Sequence, residues 1–251
     1  MIEKIRVSAV SYLNSIPFVY GLQNSSILEK INLSLDYPAE CARKLADDEV
    51  DIGLVPVAVI PSLPYYNIIS DFCIGAEGPV RTVVLLSNSP IETLDRIYLD
   101  YQSRTSVMLI KVLSNNLWKI KPEWIPYTPQ HTLNDIDPYD GIVIIGDRVF
   151  ELESKFKYRY DLAEEWIRLT GLPFVFAAWT ANKQIDKTFL YSFNQSLKLG
   201  VDNIDASIDS LTALNISRLD AQLYFKNNIS FDLNSKKREA LKLFWSLSKE
   251  I

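Results

Sequence analysis

INLSLDYPAECARKLADDEVDIGLV, residues 31–55, reads as a strand, a helix and a strand in immediate succession. Pro38 opens the helix pattern at a position where a missing N–H costs nothing, and Ala39, Ala42 and Leu45 fall on one face. DIGLV, at the end, is a short buried strand. Upstream, Ile5, Val7 and Ala9 alternate with polar residues and give a first strand; the helix after it starts near Ser15 as N-cap, with Pro17 in its first turn. The order β-α-β-α-β favours parallel strands covered on both faces.

Downstream, NIISDFCIGA is strand-like, and GPVRTVVLLS holds the continuous run Val83 to Leu86, a central strand. The pattern then restarts. RIYLD is a strand, SRTSVMLIKVLSNNLW a helix with Val107, Ile110, Leu113 and Leu117 on its apolar face, and EWIPYT and GIVIIGD are strands. DLAEEWIRLT is a helix and GLPFVFAAWT a strand; KTFLYSFNQSLKLG, ASIDSLTAL, SRLDAQLYF and KKREALKLFWSLSKE read as helices. The chain is therefore expected to form two α/β lobes. Residues 1–87 and 175–251 make the first and 88–174 an inserted second, with a ligand cleft between them and two crossings.

The 251 residues are 48% hydrophobic, which is enough for a full core in one or two domains. A net charge of −5 without a basic stripe argues against nucleic acid, so the expected partner is small. MIEKIRVSAV lacks the apolar run of a secretory signal, and no uncharged stretch is long enough to cross a bilayer, so cytoplasmic residence without membrane association is expected. Cys41 and Cys73, in a helix and a strand pattern without ligand spacing, read as packing thiols. No GxSxG, HExxH, P-loop or GxGxxG occurs. The single His131 lies in a loop pattern, the acidic loop Asp135, Asp137, Asp140 lacks the closing Glu of a calcium site, and neither metal nor cofactor is expected.

Ligands of open parallel sheets bind beyond the carboxyl ends of the strands. Polar groups cluster there: Ser11, Asn14 and Ser15 after the first strand, Pro56 after DIGLV, SRTS after RIYLD, and Gly146-Asp147 after GIVII. In SRTS, Ser103 is placed to cap the helix, while Arg104, Thr105, Ser106 and the free N–H groups of the first turn can face an anion such as a carboxylate. Taken alone, the tetrapeptide fits a plain N-cap with a solvated Arg as well. Asp147 at its strand end fits a ligand contact or a structural ion pair with Arg148 or Arg81.

YLNSIPF, GPVRTVVLLS, LDYQSRTS, IGDRVF and DLAEEWIRLTGLPFVFAAW, in this order, resemble the chorismate dehydratases of the futalosine route to menaquinone. The resemblance runs from about residue 5 to 180. It departs at Thr82, where that family often has Ser, and at Val149-Phe150, where it often has a smaller pair. It implies a type II periplasmic-binding-protein-like fold and a hydro-lyase that converts chorismate, a small dianion, to 3-[(1-carboxyvinyl)oxy]benzoate. It is similar also to the sister 1,4-dihydroxy-6-naphthoate synthases, whose N-terminal signature is a Ser-Pro-rich turn rather than YLN. A non-enzymatic binding protein for a small carboxylate would share the fold. For a hydro-lyase of this kind the expected site has Asn14 as the catalytic residue, orienting the substrate's own carboxylate, which accepts the proton, or the leaving hydroxyl, with Ser11, Ser15, Pro56, Thr82, Ser103, Arg104, Thr105, Ser106 and Asp147 binding substrate.

Overall fold

The computed structural model describes residues 4–211 and 216–251. It begins β1 (Ile5–Val10), α1 (Ile16–Gln23), β2 (Ile31–Asp36), α2 (Pro38–Ala46) and β3 (Ile52–Pro56), with β1 hydrogen-bonded in parallel to β2 on one side and β3 on the other. Every residue of β3 is buried, which is why DIGLV shows no alternation. Next come β4 (Asn67–Ala76) and β5 (Val83–Ser87). The second lobe continues with β6 (Arg96–Asp100), α3 (Arg104–Leu113), β7 (Glu123–Tyr127), β8 (Asp140–Ile145), α4 (Arg148–Leu152), β9 (Tyr158–Asp161) and α5 (Leu162–Thr170). The chain returns through β10 (Phe174–Ala181) to α6 (Lys187–Asp202), α7 (Ile204–Asp209), α8 (Arg218–Asn227), β11 (Ser230–Asp232) and α9 (Ser235–Ser248).

Two sheets result, one ordered β11-β4-β10-β3-β1-β2 and the other β7-β6-β8-β5-β9. Two expectations change. β5 pairs with β8 and β9, so it belongs to the second sheet; the boundary expected at 87 moves back to the crossing at 77–82. The sheets are mixed rather than parallel throughout, because β4 carries the chain out of the first lobe and β10 brings it back beside β4 in the opposite direction. Strands β9 and β11, of four and three residues, are too short to leave a periodic signal. Part of the expected helix ASIDSLTAL lies outside the described residues; α7 covers its beginning.

The tail is fastened to the first lobe by a close helix crossing. A Cβ on Gly200 of α6 would lie 1.6 Å from the Pro17 carbonyl oxygen, and one on Gly21 of α1 1.9 Å from that of Ser196, so only glycine lets the two backbones meet. Helix α9 packs on both β10 and α3, and the Trp245 indole donates to the Val57 carbonyl at 2.8 Å. The tail thus touches both lobes instead of only the first. Cys41 and Cys73 are buried, free, and pushed up to about 12 by burial, as packing thiols should be. Among the described residues no helix is long and apolar enough to cross a membrane.

Candidate active site between the lobes

A cavity of about 50 Å³ lies where the two sheets meet. It is walled by strand ends: Val10 of β1, Pro56 of β3 and Ile145 of β8, with Phe176 and Ala177 of β10. Its polar groups are Tyr12, Asn14, Thr82, Ser103 and Ser106. Among the described residues, none that lines it carries a formal charge. The structure therefore brings together Asn14, Pro56, Thr82, Ser103 and Ser106 of the residues picked out above.

Thr82 sits just past a strained turn. Arg81 has φ of +67°, a left-handed conformation that costs a non-glycine residue about 1 kcal/mol or more. The turn is held by Asp161, whose carboxylate accepts from the Val80 and Arg81 backbone N–H groups at 3.0 and 2.7 Å, while the Arg81 guanidinium lies 5.0 Å over the Phe150 ring. The turn leaves the Thr82 hydroxyl, fully buried, 2.8 Å from the hydroxyl of Tyr224 in α8. Burial raises the Tyr224 phenol well above its ordinary range, so it stays protonated; the hydrogen bond with Thr82 works against that shift. The Asn14 carbonyl oxygen Oδ1 is buried and has no hydrogen-bond partner among the described residues. A buried acceptor left unpaired costs roughly 1–3 kcal/mol.

The second lobe presents the start of α3. Ser103 is its N-cap: its Oγ accepts from the Ser106 backbone N–H at 3.1 Å and donates to Ser106 Oγ at 2.8 Å. The Ser106 hydroxyl proton is thereby free to point into the cavity. Thr105 does something else. Its hydroxyl donates to the Phe176 carbonyl at 3.0 Å and accepts from the Ala58 N–H at 3.2 Å, pinning α3 to the first lobe. Arg104 is exposed and does not line the cavity, since the first helical residue after the cap points outward.

Ser11, Ser15 and Asp147 line a different cavity, of about 300 Å³, on the other side of the 11–16 segment. Leu13–Ser15 form a 3-10 turn before α1, and Ser15 does not cap that helix; its hydroxyl donates to the carbonyls of Val10 and Tyr12. Ser15 shapes the turn that aims Asn14 inward. Among the described residues, Asp147 is in none of the ion pairs; Arg148 pairs with Asp100, and Arg81 with Glu153. Burial pushes the Asp147 carboxyl up, offset in part by the Leu13 backbone N–H.

Tyr12, Gln102, Arg148 and Asp100, none of them picked out as site residues from the sequence, form a chain of polar contacts that joins the lobes. The Tyr12 hydroxyl donates to Gln102 Oε1, which also accepts from Arg148 at 3.2 Å, and Arg148 is paired with the buried Asp100. Burial raises the Asp100 carboxyl, opposed by Arg148 and by the Gln102 and Ile145 N–H groups. Gly146, with φ of +68°, supplies the left-handed turn after β8, next to the Tyr12 ring. Tyr12 and Gln102 lay inside the quoted motifs YLNSIPF and LDYQSRTS, and only their partners were illegible. The sole histidine, His131, is on the outer face of the second lobe, its Nδ1 within 3.1 Å of the Thr128 N–H and its ring against Tyr98 and Tyr127.

A family model described as menaquinone biosynthesis matches residues 5–250. The chain belongs to that family. Within it, the chain is 28% identical over 191 residues to a chorismate dehydratase of Thermus thermophilus, covering 69% of this chain and 68% of that protein. It is 25% identical over 242 residues to a chorismate dehydratase of Campylobacter jejuni, covering 94% and 93%. In fold it is similar to a Candida albicans protein described as having the generic periplasmic binding protein fold, with a TM-score of 0.68, 13% identity and coverage of 99% and 90%. The two-lobed α/β architecture of the menaquinone family member is thus of the periplasmic-binding-protein type. The departure at Val149-Phe150 is a packing one: Phe150 lies edge-on to Tyr224 at 6.1 Å and under Arg81.

Proposed function

We propose that this chain is a chorismate dehydratase, a cytoplasmic hydro-lyase of the futalosine route to menaquinone, producing 3-[(1-carboxyvinyl)oxy]benzoate. Family membership and the two relatives support the substrate; the observation that carries the chemistry is that Asn14, whose buried Oδ1 is unpaired among the described residues, lines the same cavity as Ser103 and Ser106 at the start of α3. Chorismate offers two carboxylates, which only accept, and one hydroxyl, at C4, which is its sole strong donor. The cavity is complementary to both. The vacant Asn14 acceptor suits the C4 hydroxyl, and the free Ser106 hydroxyl with the positive end of the α3 dipole suits a carboxylate.

In the reaction the enolpyruvyl carboxylate of the substrate accepts the C3 proton. The electrons of the C3–H bond form the C3–C4 double bond that completes the aromatic ring, and the C4 oxygen leaves with its bonding pair and takes up that proton as water. No titratable side chain need line the cavity for this; what the protein supplies is orientation, worth up to several kcal/mol when reacting groups are held in near-attack geometry. A cavity of about 50 Å³ holds a few waters, so entry of a substituted ring requires the lobes to part and closure expels water.

The test is incubation of the purified chain with chorismate, followed by ultraviolet absorbance and mass spectrometry. A product lighter than chorismate by one water supports the reading. Chorismate recovered intact, with saturable binding, would leave a non-enzymatic carboxylate-binding protein, and turnover of the sister synthase's substrate instead would reassign the chain.

A further inference from the structure

Two charged residues of the second lobe reach the wall of this site. We propose that Asp161 and Arg159 of β9 are positioning residues that clamp the Arg81 peptide in its left-handed conformation and so fix where Thr82 presents its hydroxyl; the inference rests on the dehydratase reading. Val80, Thr82 and Val83 line the cavity, whereas Arg81 between them does not and turns its guanidinium over Phe150. Strand β9 runs antiparallel to β5 with Asp161 opposite Val84, which sets the end of β9 beside the chain just ahead of β5. Two apart on one strand, Arg159 and Asp161 share a face. Asp161 Oδ2 accepts from the Arg81 N–H at 2.7 Å, and Arg159 Nη2 donates to the Arg81 carbonyl at 3.1 Å, so the strained residue is held on both sides. Arg159 Nη2 also lies 3.5 Å from Asp161 Oδ2, which ties the two halves of the clamp together.

Helix capping alone does not account for Asp161. Its Oδ1 accepts from the Ala163 and Glu164 N–H groups at 3.1 and 3.2 Å, the ordinary work of an N-cap at the start of α5, and a serine could do as much. The same oxygen takes the Val80 N–H at 3.0 Å and the other takes that of Arg81, so half of the backbone groups on this buried carboxylate come from the crossing between the lobes. Every donor in the clamp is a backbone N–H or a guanidinium, so the direction of each bond is fixed by chemistry. Left-handed backbone is disfavoured for arginine; released, residue 81 relaxes toward negative φ and carries Thr82 with it. With the turn in place, the Thr82 carbonyl accepts from the Gly146 N–H at 2.8 Å and its hydroxyl pairs with Tyr224 at 2.8 Å. Glycine at position 81 would keep the same turn without a clamp, because it lacks the Cβ that makes this conformation costly.

The experiment is a rescue on the full chain. Asp161→Ser keeps a cap on α5 but is too short to reach residues 80 and 81; it is made alone and with Arg81→Gly, and read by kcat and KM for chorismate with melting temperatures alongside. Asp161→Ser is expected to lower kcat/KM about tenfold or more. Adding Arg81→Gly is expected to bring kcat/KM back to within about threefold of Arg81→Gly alone. A residue that only supports folding would give a loss that glycine does not repair, since glycine loses more freedom on folding and leaves the melting temperature low. Arg159→Met, at a half-exposed position, should follow the same pattern with a loss of about two- to fivefold, and it decides the matter on the same criterion should Asp161→Ser fail to fold. Activity unchanged in the clamp variant, or a loss that Arg81→Gly leaves in place, would overturn the assignment. An activity-free arm separates it from the dehydratase reading: amide hydrogen exchange at Arg81 should speed up about tenfold or more in the clamp variant relative to that at Ile167 inside α5. If wild type leaves chorismate intact, the dehydratase reading falls, while Arg81 exchange that does not rise overturns the clamp whatever the activity.

Discussion

The cavities on the two faces of residues 11–16 share Val10 and Tyr12 but little else. The one between the lobes is small, uncharged, and rimmed by hydroxyl and amide groups from both lobes, with one acceptor left vacant. Its neighbour is larger, takes Ser11, Ser15 and the half-buried Asp147, and has its hydroxyl from Ser15 already committed to backbone carbonyls. The polar residues of one loop thus divide between two environments, Ser11 and Ser15 in one and Asn14 in the other. The difference teaches that a free hydrogen-bonding valence at a junction of lobes, rather than the presence of polar side chains, is what singles out the cavity proposed here as the reactive one.

The strongest way to break that comparison is Asn14→Ala. It should lower kcat on the order of 10²–10³-fold, followed by product absorbance, as loss of a single positioned polar group in a preorganised site does. Thr82→Val removes the hydroxyl that pairs with Tyr224, and is expected to cost about 10- to 50-fold in kcat/KM with a lower melting temperature, while Thr82→Ser, which restores the family's commoner residue, stays within a few-fold. On the far face, Asp147→Asn should leave kcat/KM within about threefold. Ser11→Ala, at an exposed position, should change it by less than about twofold.

The carboxylates sharpen the contrast through pH. Burial of Asp147 raises its carboxyl, so the folded state binds that proton more tightly than the unfolded chain; its penalty is absent below the unfolded value near 4 and grows as pH rises through the raised one. Asp147→Asn should remove that downward slope of stability with pH in denaturant titrations. Asp51 has the opposite sign. Burial works to raise it, but hydrogen bonds from Arg6 and Lys183 win and hold it at about 2. Its contribution is present above the unfolded value near 4 and is lost as pH falls toward 2. Asp51→Asn should cost roughly 2 kcal/mol at neutral pH and less in acid.

Local pattern carried much of the architecture. Alternation and continuous apolar runs in β1, β3, β5, β8 and β10, proline at the start of α2, and the Ser103 cap of α3 are each decided by residues within a turn or two of one another, so they could be read directly. The candidate site was legible in part for the same reason: strand ends carrying Asn14, Pro56, Thr82, Ser103 and Ser106 had to converge if the sheets packed as α/β lobes. Arg104 and Thr105 show the limit. Both stand in the first turn of α3, but which one faces the cavity, the solvent or the other lobe depends on where α3 meets β10, and that is a contact with a distant segment.

By itself the amino-acid order determined two α/β units, the helix and strand types, the absence of standard nucleophile and metal motifs, and the family. Only the tertiary structure decided that β5 joins the second sheet, that Ser15 is spent on its own turn, that Tyr12 reaches Gln102 across the cleft, and that Tyr224 of the tail arrives beside Thr82. The physical reason is range: propensity and periodicity act between neighbours along the chain, whereas the spare valence of a hydroxyl or amide is set by whichever distant atom folding brings within 3 Å of it.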